Sequence, residues 1–266
     1  MQKKRYILIF LFVSILANSF SCSLSSTVNL TGKTINKAIK LNSSTKNGAS
    51  LFTLNLKNFA LENGEVTIHT VDYGYDKIND SNNINLETYI PYISCSYPED
   101  ANFNIEFNDN GISVFTDKNV NYKGNEVRFD VYASINNIVV NGALPIKIYN
   151  TSATDFSLLV NGATTFKTEN PLTLNNFSAN INGAAYINLS GTSDYVGYVI
   201  DGTGTIDSMN LKAKEANITI DGTGTAKLSV IEKLDAYING TGSIIYYGNP
   251  TVTKKIDGLG SIKKGD

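Results

Sequence analysis

The chain has 266 residues, of which 42% are hydrophobic, so it is long enough to form one large or two modest domains with a substantial core. Its formal net charge is −2, and Arg5 and Arg128 are its only arginines. A protein that binds nucleic acid needs a basic surface to neutralise phosphates, so this composition excludes nucleic acid as a partner. Gly, Asn, Ser and Thr are plentiful and Trp is absent, which favours strands and tight turns over helices.

The first 22 residues have the features of an export signal. A basic Lys-Lys-Arg run at residues 3–5 precedes an apolar stretch at residues 6–17, which is shorter than the roughly 20 residues that a permanent membrane-spanning helix needs. We therefore predict that residues 1–21 are a signal peptide. Their removal deletes three basic residues and no acidic one, which leaves a net charge of −5.

The end of this leader, Ser-Phe-Ser-Cys at residues 19–22, resembles a bacterial lipobox. Leu is usual three residues before the cysteine of that motif, and Ser19 stands there in this chain. The resemblance implies that Cys22 is lipidated and becomes the mature N-terminus. Ordinary secretion with cleavage nearby is the alternative, and both interpretations export the protein.

The second cysteine, Cys95, has no partner in the mature chain, so we expect no disulfide framework. A catalytic cysteine needs a histidine within reach, and His69 is the only histidine. Cys95 is therefore predicted to be a small buried apolar residue. One histidine cannot build a zinc site, so His69 is predicted to be an ordinary strand residue, and we expect neither a metal nor a cofactor.

A turn dipeptide, Asn-Gly or Asp-Gly, recurs through the second half of the chain at spacings of 20, 21, 19, 20, 18 and 18 residues. Such regular spacing indicates a repeat architecture. The glycines of the seven dipeptides are Gly142, Gly162, Gly183, Gly202, Gly222, Gly240 and Gly258.

Apolar residues keep register with these dipeptides. The residue before each Asn or Asp is Val or Ile in every repeat, and the residue five positions after it is also apolar. Alternation of period two on both sides of the turn predicts strands. About 20 residues accommodate three short strands and three turns, which is one coil of a parallel β-helix. We therefore predict an all-β fold: a right-handed parallel β-helix, a solenoid whose stacked coils share an aliphatic interior.

Glycine at every corner suggests a backbone with positive φ, which glycine adopts freely and Asn or Asp tolerates. Asp201 and Asp221 are expected at the same corner of adjacent coils, about 5 Å apart. Two such carboxylates could share a calcium ion or act as an acid/base pair. The neighbouring coils carry Asn182 and Asn239 at that corner, so charge is not required there and a plain turn role is favoured.

The pattern divides the chain into four parts. Residues 1–21 are the signal peptide, and residues 22–50 form the lipidated N-terminus and a flexible tether, with an edge strand as the alternative for part of it. Residues 51–136 are an irregular β segment, and residues 137–266 are the regular coils. Within the irregular segment, residues 89–98 place three tyrosines around two prolines, which suggests either an exposed binding loop or a cap over the open end of the core.

From about residue 51 to its end, the chain resembles the family called putative auto-transporter adhesin, head GIN domain. The resemblance rests on the serial Gly-Thr-Gly turns at residues 202–204, 222–224 and 240–242, and on the ending Tyr-Tyr-Gly-Asn-Pro at 246–250, followed by Gly-Leu-Gly at 258–260. It implies a parallel β-helix-like fold and an adhesin-like role, with no catalytic residues.

The sequence therefore predicts an exported, lipid-anchored, non-enzymatic binding module of the cell envelope, periplasmic or on the cell surface. Expected partners are the membrane, through the lipid on Cys22, and an unknown surface polymer or protein, with a homo-oligomer as a further possibility. A structural envelope scaffold is the alternative. A polysaccharide lyase or hydrolase on this fold needs clustered Asp, Lys and Arg on one outer face, whereas Arg128 is the only mature arginine and the lysines are dispersed.

Overall fold

A computed structural model of the chain describes residues 26–40, 52–69, 92–108, 111–151 and 153–266. Residues 1–21, predicted as the signal peptide, and the predicted lipidation site Cys22 lie outside the described residues. The described residues form strands and contain no helix, and so none of their segments is a long apolar helix that could cross a membrane.

The described strands, in chain order, are β1 (Ser26–Leu30), β2 (Thr34–Lys40), β3 (Phe52–Leu61), β4 (Gly64–His69), β5 (Tyr92–Pro98), β6 (Asn104–Asn108), β7 (Gly111–Gly124), β8 (Val127–Tyr132), β9 (Ile135–Ile148), β10 (Asp155–Val160), β11 (Ala163–Thr168), β12 (Leu172–Ile181), β13 (Ala184–Ile200), β14 (Thr203–Ile220), β15 (Thr223–Ile238), β16 (Thr241–Tyr247), β17 (Thr251–Ile256) and β18 (Leu259–Lys264).

Most of the strands stack in parallel as a β-solenoid of about six turns, which confirms the predicted fold class. The pairings β2–β5, β5–β8 and β6–β7 are antiparallel. The register follows the repeat, because Ile200 pairs with Ile181 in the coil before and with Ile220 in the coil after. Within a coil, buried and exposed residues alternate, and the alternation is interrupted where two consecutive residues are exposed, as at Met209-Asn210 within β14. The chain turns at these pairs, and the turns divide each coil into three faces.

The core is a continuous column of aliphatic and aromatic side chains inside the coils. Ile200, Ile220 and Ile238 are fully buried and stack in register. Burial of each such side chain stabilises the fold by roughly 1.5–3 kcal/mol before conformational entropy is counted. Because like residues repeat at the same position, each coil buries its apolar side against its neighbours.

The first half of the chain belongs to the same solenoid. β3 lies between β7 and β9 and pairs in parallel with both. β4 in the same way lies between β8 and β9. The coil formed by residues 111–132 therefore stacks on the far side of the coil formed by residues 52–69, so the spatial order of these two coils reverses their order in the chain.

Residues 26–40, within the segment predicted as a flexible tether with an edge strand as the alternative for part of it, form β1 and β2. β1 pairs in parallel with β7, and β2 pairs antiparallel with β5. Leu30 is buried in the common core. These residues had little apolar periodicity in the sequence, because β1 and β2 cover only the end of the solenoid and each buries few side chains.

The segment that suggested a binding loop or a cap contains β5, an ordinary sheet strand between β2 and β8. Ile93, Cys95 and Tyr97 are buried in the core, which is a packing role. Residues 89–91 lie outside the described part of the chain. Burial raises the pKa of the Cys95 thiol to about 12, with the Asp130 carboxylate adding to the effect, so this cysteine stays protonated and inert.

Candidate functional site

The Asn-Gly and Asp-Gly corners are held by a shared backbone acceptor. At the corner of Asn161 and Gly162, both backbone N–H groups donate to the carbonyl oxygen of Val140 in the coil before, at 2.9 and 3.0 Å. The same double donation recurs at each later corner, up to Asp257 and Gly258 on Ile238. The corner therefore keeps its backbone groups paired while the chain changes direction.

The seven corner glycines do not have the positive φ that the sequence suggested. Among the described glycines, positive φ occurs at Gly111, Gly124, Gly191 and Gly248. The corners need glycine for another reason, the close approach of the preceding coil. A Cβ added to Gly162 would lie 1.9 Å from the carbonyl oxygen of Gly142, and every later corner glycine meets its predecessor's carbonyl in the same way.

Side chains add a ladder outside these corners. The Asn161 amide donates to the Asn141 Oδ1 at 2.8 Å, and the Asn182 amide donates to the Asn161 Oδ1 at 2.8 Å. Asp221 accepts from Asn239 at 2.6 Å. The described residues contain no group of three or more His, Cys, Asp or Glu side chains able to hold a metal ion, and the corner carboxylates of Asp221 and Asp257 act as hydrogen-bond acceptors.

Some charged side chains on the outer faces pair with one another, and the most buried of these pairs centres on Glu65. Glu65 lies between Lys147 and Arg128, with Oε2–Nζ and Oε1–Nη2 distances of 2.5 and 2.9 Å. Burial alone would raise the pKa of the Glu65 carboxyl, but hydrogen bonds from Lys147 and Arg128 outweigh it and leave that pKa below its ordinary value. Arg128, which a sugar lyase would need to bind acidic substrate, is thus committed to an ion pair.

His69 lies in an aromatic stack formed by residues of β4, β5 and β8 and by Tyr149, which directly follows β9. Its ring stacks on Tyr132 at 4.6 Å and on Tyr149 at 5.0 Å between centroids, and Tyr92 stacks on Tyr132 at 4.4 Å. The rings are within 12° of parallel, so they cover one another's faces. His69 Nε2 is 3.6 Å from Asp130 Oδ1. This arrangement is a packing ladder on the outside of the sheet.

A recess of about 420 Å³ lies on another face of the solenoid, around Gly197 in β13. We call it the Tyr195 recess, and its lining residues are Asn137, Ser157, Leu158, Leu159, Ser178, Ala179, Asn180, Tyr195, Gly197, Tyr198, Val199 and Asn217. None of these side chains carries a charge at neutral pH. The recess combines an exposed aromatic ring, amide and hydroxyl groups, and an apolar floor, which is the usual chemistry of a binding site for a small polar molecule.

Tyr195 and Gly197 of β13 shape this recess. Tyr195 and Gly197 both point outward because they are two positions apart in a strand. A Cβ added to Gly197 would lie 3.3 Å from Tyr195 Cε1 and 3.6 Å from its hydroxyl oxygen, with no backbone atom among its nearest neighbours. Glycine therefore leaves room for the tyrosine ring to lie over the strand.

Sequence reasoning missed this site because the corner glycines dominated the pattern. The sequence nevertheless contained a signal, because Gly197 lies outside every corner. It occupies an outward-facing position of its coil, and the residues at the same position of neighbouring coils include Ser157, Ser178 and Asn217. A glycine at an outward-facing strand position, with a tyrosine two residues earlier on the same face, is the pattern by which such a recess could be predicted.

Several solved structures share this fold. A putative adhesin from Bacteroides fragilis NCTC 9343 superposes with a TM-score of 0.71 at 18% identity, covering 89% of this chain and 99% of that chain. A putative lipid binding protein from Parabacteroides distasonis ATCC 8503 gives a TM-score of 0.56 at 17% identity, covering 90% and 100%. A putative adhesin from Parabacteroides merdae ATCC 43184 gives 0.56 at 18%, covering 90% and 99%. These likenesses show a shared fold.

No curated protein matches the sequence significantly. A family model does match it, over residues 96–250, which is more than half of the chain. The matched segment runs from the end of β5 to the last turn before β17 and includes the first six of the seven glycine corners. The chain therefore belongs to the family described as putative auto-transporter adhesin, head GIN domain.

Proposed function

We propose that this chain is an exported, lipid-anchored module of the bacterial cell envelope that binds a surface partner without catalysing a reaction. The observation that carries the proposal is the Tyr195 recess, an uncharged concave site on an otherwise regular outer face. Family membership supports an adhesin-like role. The solenoid supports it as well, because stacked coils present long, rigid faces for contact with a partner.

The lining of the Tyr195 recess supports a non-enzymatic role. Acid/base catalysis on a polysaccharide needs an unengaged carboxylate or lysine beside a bound substrate. The Tyr195 recess itself offers no titratable group other than tyrosine, so it can hold a ligand but has no general base that works near neutral pH.

Membrane anchoring is tested at Cys22 in a bacterium that processes its own lipoproteins. The full-length protein should incorporate labelled palmitate and fractionate with membranes, and Cys22→Ala should lose the label and leave the membrane fraction. Cys95→Ala is the matched control, because the second thiol is buried in the core and should not affect labelling. Membrane-bound, labelled Cys22→Ala protein would refute the anchoring.

Binding is tested with the released Cys22→Ala chain on intact cells and isolated envelope material. Saturable retention is expected, without new reducing or unsaturated sugar ends when the protein is incubated with uronic-acid polymers. Absence of any retention would reject the binding role in favour of an envelope scaffold. Appearance of cleaved ends would show an enzyme.

A further inference from the structure

We propose that the Tyr195 recess binds a neutral saccharide, with the tyrosine ring as a stacking platform and the surrounding amides and hydroxyls as hydrogen-bonding partners. The inference rests on the proposed function, since it names the ligand class of that binding module. It is carried by the position of the ring, by the polar groups around it and by the absence of charge in the lining.

The ring of Tyr195 is placed as a platform. One side lies against Gly197, at the distances given above, and the residue keeps 38% of its surface exposed. A flat ring held on a strand loses little conformational freedom when a ligand covers it. An exposed aromatic face suits the C–H face of a pyranose ring, which is apolar although its edge carries hydroxyls.

Polar groups surround this platform in the adjacent coils. Gly197 pairs with Ser178 in the coil before and with Asn217 in the coil after, and Asn180 pairs with Val199. Adjacent strands are about 4.8 Å apart, so these side chains flank the ring closely. Within the described part of the chain, no hydrogen bond engages the Ser178, Asn180 or Asn217 side chains. Each therefore has donors and acceptors available for a ligand.

The lining determines the charge of the ligand. None of its residues is Lys, Arg, Asp, Glu or His, so the recess has no cation to pair with a uronate, sulfate or phosphate group. An anionic polymer would lose hydration there without gaining an ion pair. Hydroxyl groups, by contrast, can be paired fully by serine hydroxyls and asparagine amides.

The dimensions of the recess fit a short oligosaccharide better than a single sugar. The lining residues come from five neighbouring strands, β9, β10, β12, β13 and β14, which span about 20 Å at the usual strand spacing. Its volume of about 420 Å³ lies within the ordinary range of roughly 300–1,000 Å³ for ligand sites. A short neutral oligosaccharide running across the coils would fill it.

The test compares neutral and acidic oligosaccharides on an array, followed by calorimetric titration of the best neutral one with the Cys22→Ala chain. Tyr195→Ala should weaken that binding at least tenfold, and Asn180→Ala should weaken it severalfold. Tyr149→Ala is the matched control, because Tyr149 is 39% exposed yet lies outside the lining of the recess. The affinity of this variant for the saccharide should equal that of the chain with Tyr149 and Tyr195 intact. Affinity should also be unchanged between low and high salt, since no ion pair forms.

Several outcomes overturn the saccharide proposal while leaving the binding module intact. One is unchanged affinity in Tyr195→Ala with its unfolding transition preserved. A second is binding of acidic polymers only. A third is that the ligand is an envelope protein and that its binding to this chain requires Tyr195. If Tyr195→Ala alters folding, the variants Asn180→Ala and Ser178→Ala, whose side chains are exposed, test the proposal instead. Unchanged affinity for the neutral saccharide in both variants would then overturn it. Loss of all retention on envelope material, by contrast, rejects the proposed function itself.

Discussion

Single glycines in this solenoid serve two different purposes, and their substitution should separate them. A Cβ on Gly202 would lie 2.0 Å from the Gly183 carbonyl oxygen, which belongs to the rigid backbone of the coil before. Gly202→Ala must therefore push two coils apart, and we expect a loss of about 2–3 kcal/mol in the free energy of unfolding. Urea unfolding monitored by circular dichroism measures it.

Gly197→Ala is the control for that change. Its Cβ meets the ring of Tyr195 at 3.3 Å and no backbone, and the ring can shift on its own side-chain torsions. We expect a change within about 1 kcal/mol. Equal losses in the two variants would show that coil stacking is not what requires glycine at the corner.

At the scale of elements, neighbouring strands are coupled by side chains that face outward as well as by the core. Glu65 of β4 links Arg128 of β8 to Lys147 of β9. Because its folded-state pKa is lowered, its stabilising contribution is fully present above the ordinary carboxyl pKa of about 4.3. That contribution is lost as the pH falls through the lowered folded-state value.

Glu65→Gln should therefore reduce the free energy of unfolding by about 1 kcal/mol at pH 7, and the difference from the native chain should shrink below about pH 4. Urea titrations at both pH values measure it. Asp194→Asn is the control, because the Asp194–Lys214 pair is more than half exposed on both sides and its loss should have no measurable effect. A difference for Glu65→Gln that persists unchanged at low pH would mean that packing, not charge, holds this residue.

At the scale of the whole molecule, the solenoid behaves as a stack of nearly equivalent coils. Asp201 and Asp221 occupy the same corner one coil apart, so deletion of residues 202–221 joins Asp201 to Gly222 in register. We expect this variant to fold, with lower stability because one coil interface is gone. It should be shorter by about 5 Å, the spacing of one strand. Circular dichroism and small-angle scattering measure both.

A deletion of half a coil, residues 202–211, is the matched comparison. It would bring the glycine corner at residues 221–222 opposite a strand of the neighbouring coil, so the corner would lose the stacked corners whose backbone groups it pairs with. Loss of cooperative unfolding is expected. Equal folding of the two deletions would contradict the stacked-register explanation of the fold.

The sequence alone determined the regular half of the molecule, because there the local pattern and the global fold carry the same information. A glycine corner every 18–21 residues and an aliphatic residue before each corner leave few alternatives to stacked coils. Cys95 was predictable on similar grounds, since a lone cysteine in a strand with one histidine in the chain has little chemistry available to it.

Only the tertiary structure decided the rest, because those features depend on which strands become neighbours. The order in which β3 and β7 stack, and the pairing of β1 and β2 with distant strands, involve contacts that no local periodicity records. The corner glycines were predictable as positions, but their reason was not, since a clash with the coil before is visible only once coils are stacked. The Tyr195 recess likewise exists because Ser178, Gly197 and Asn217 come from three separate coils and meet side by side.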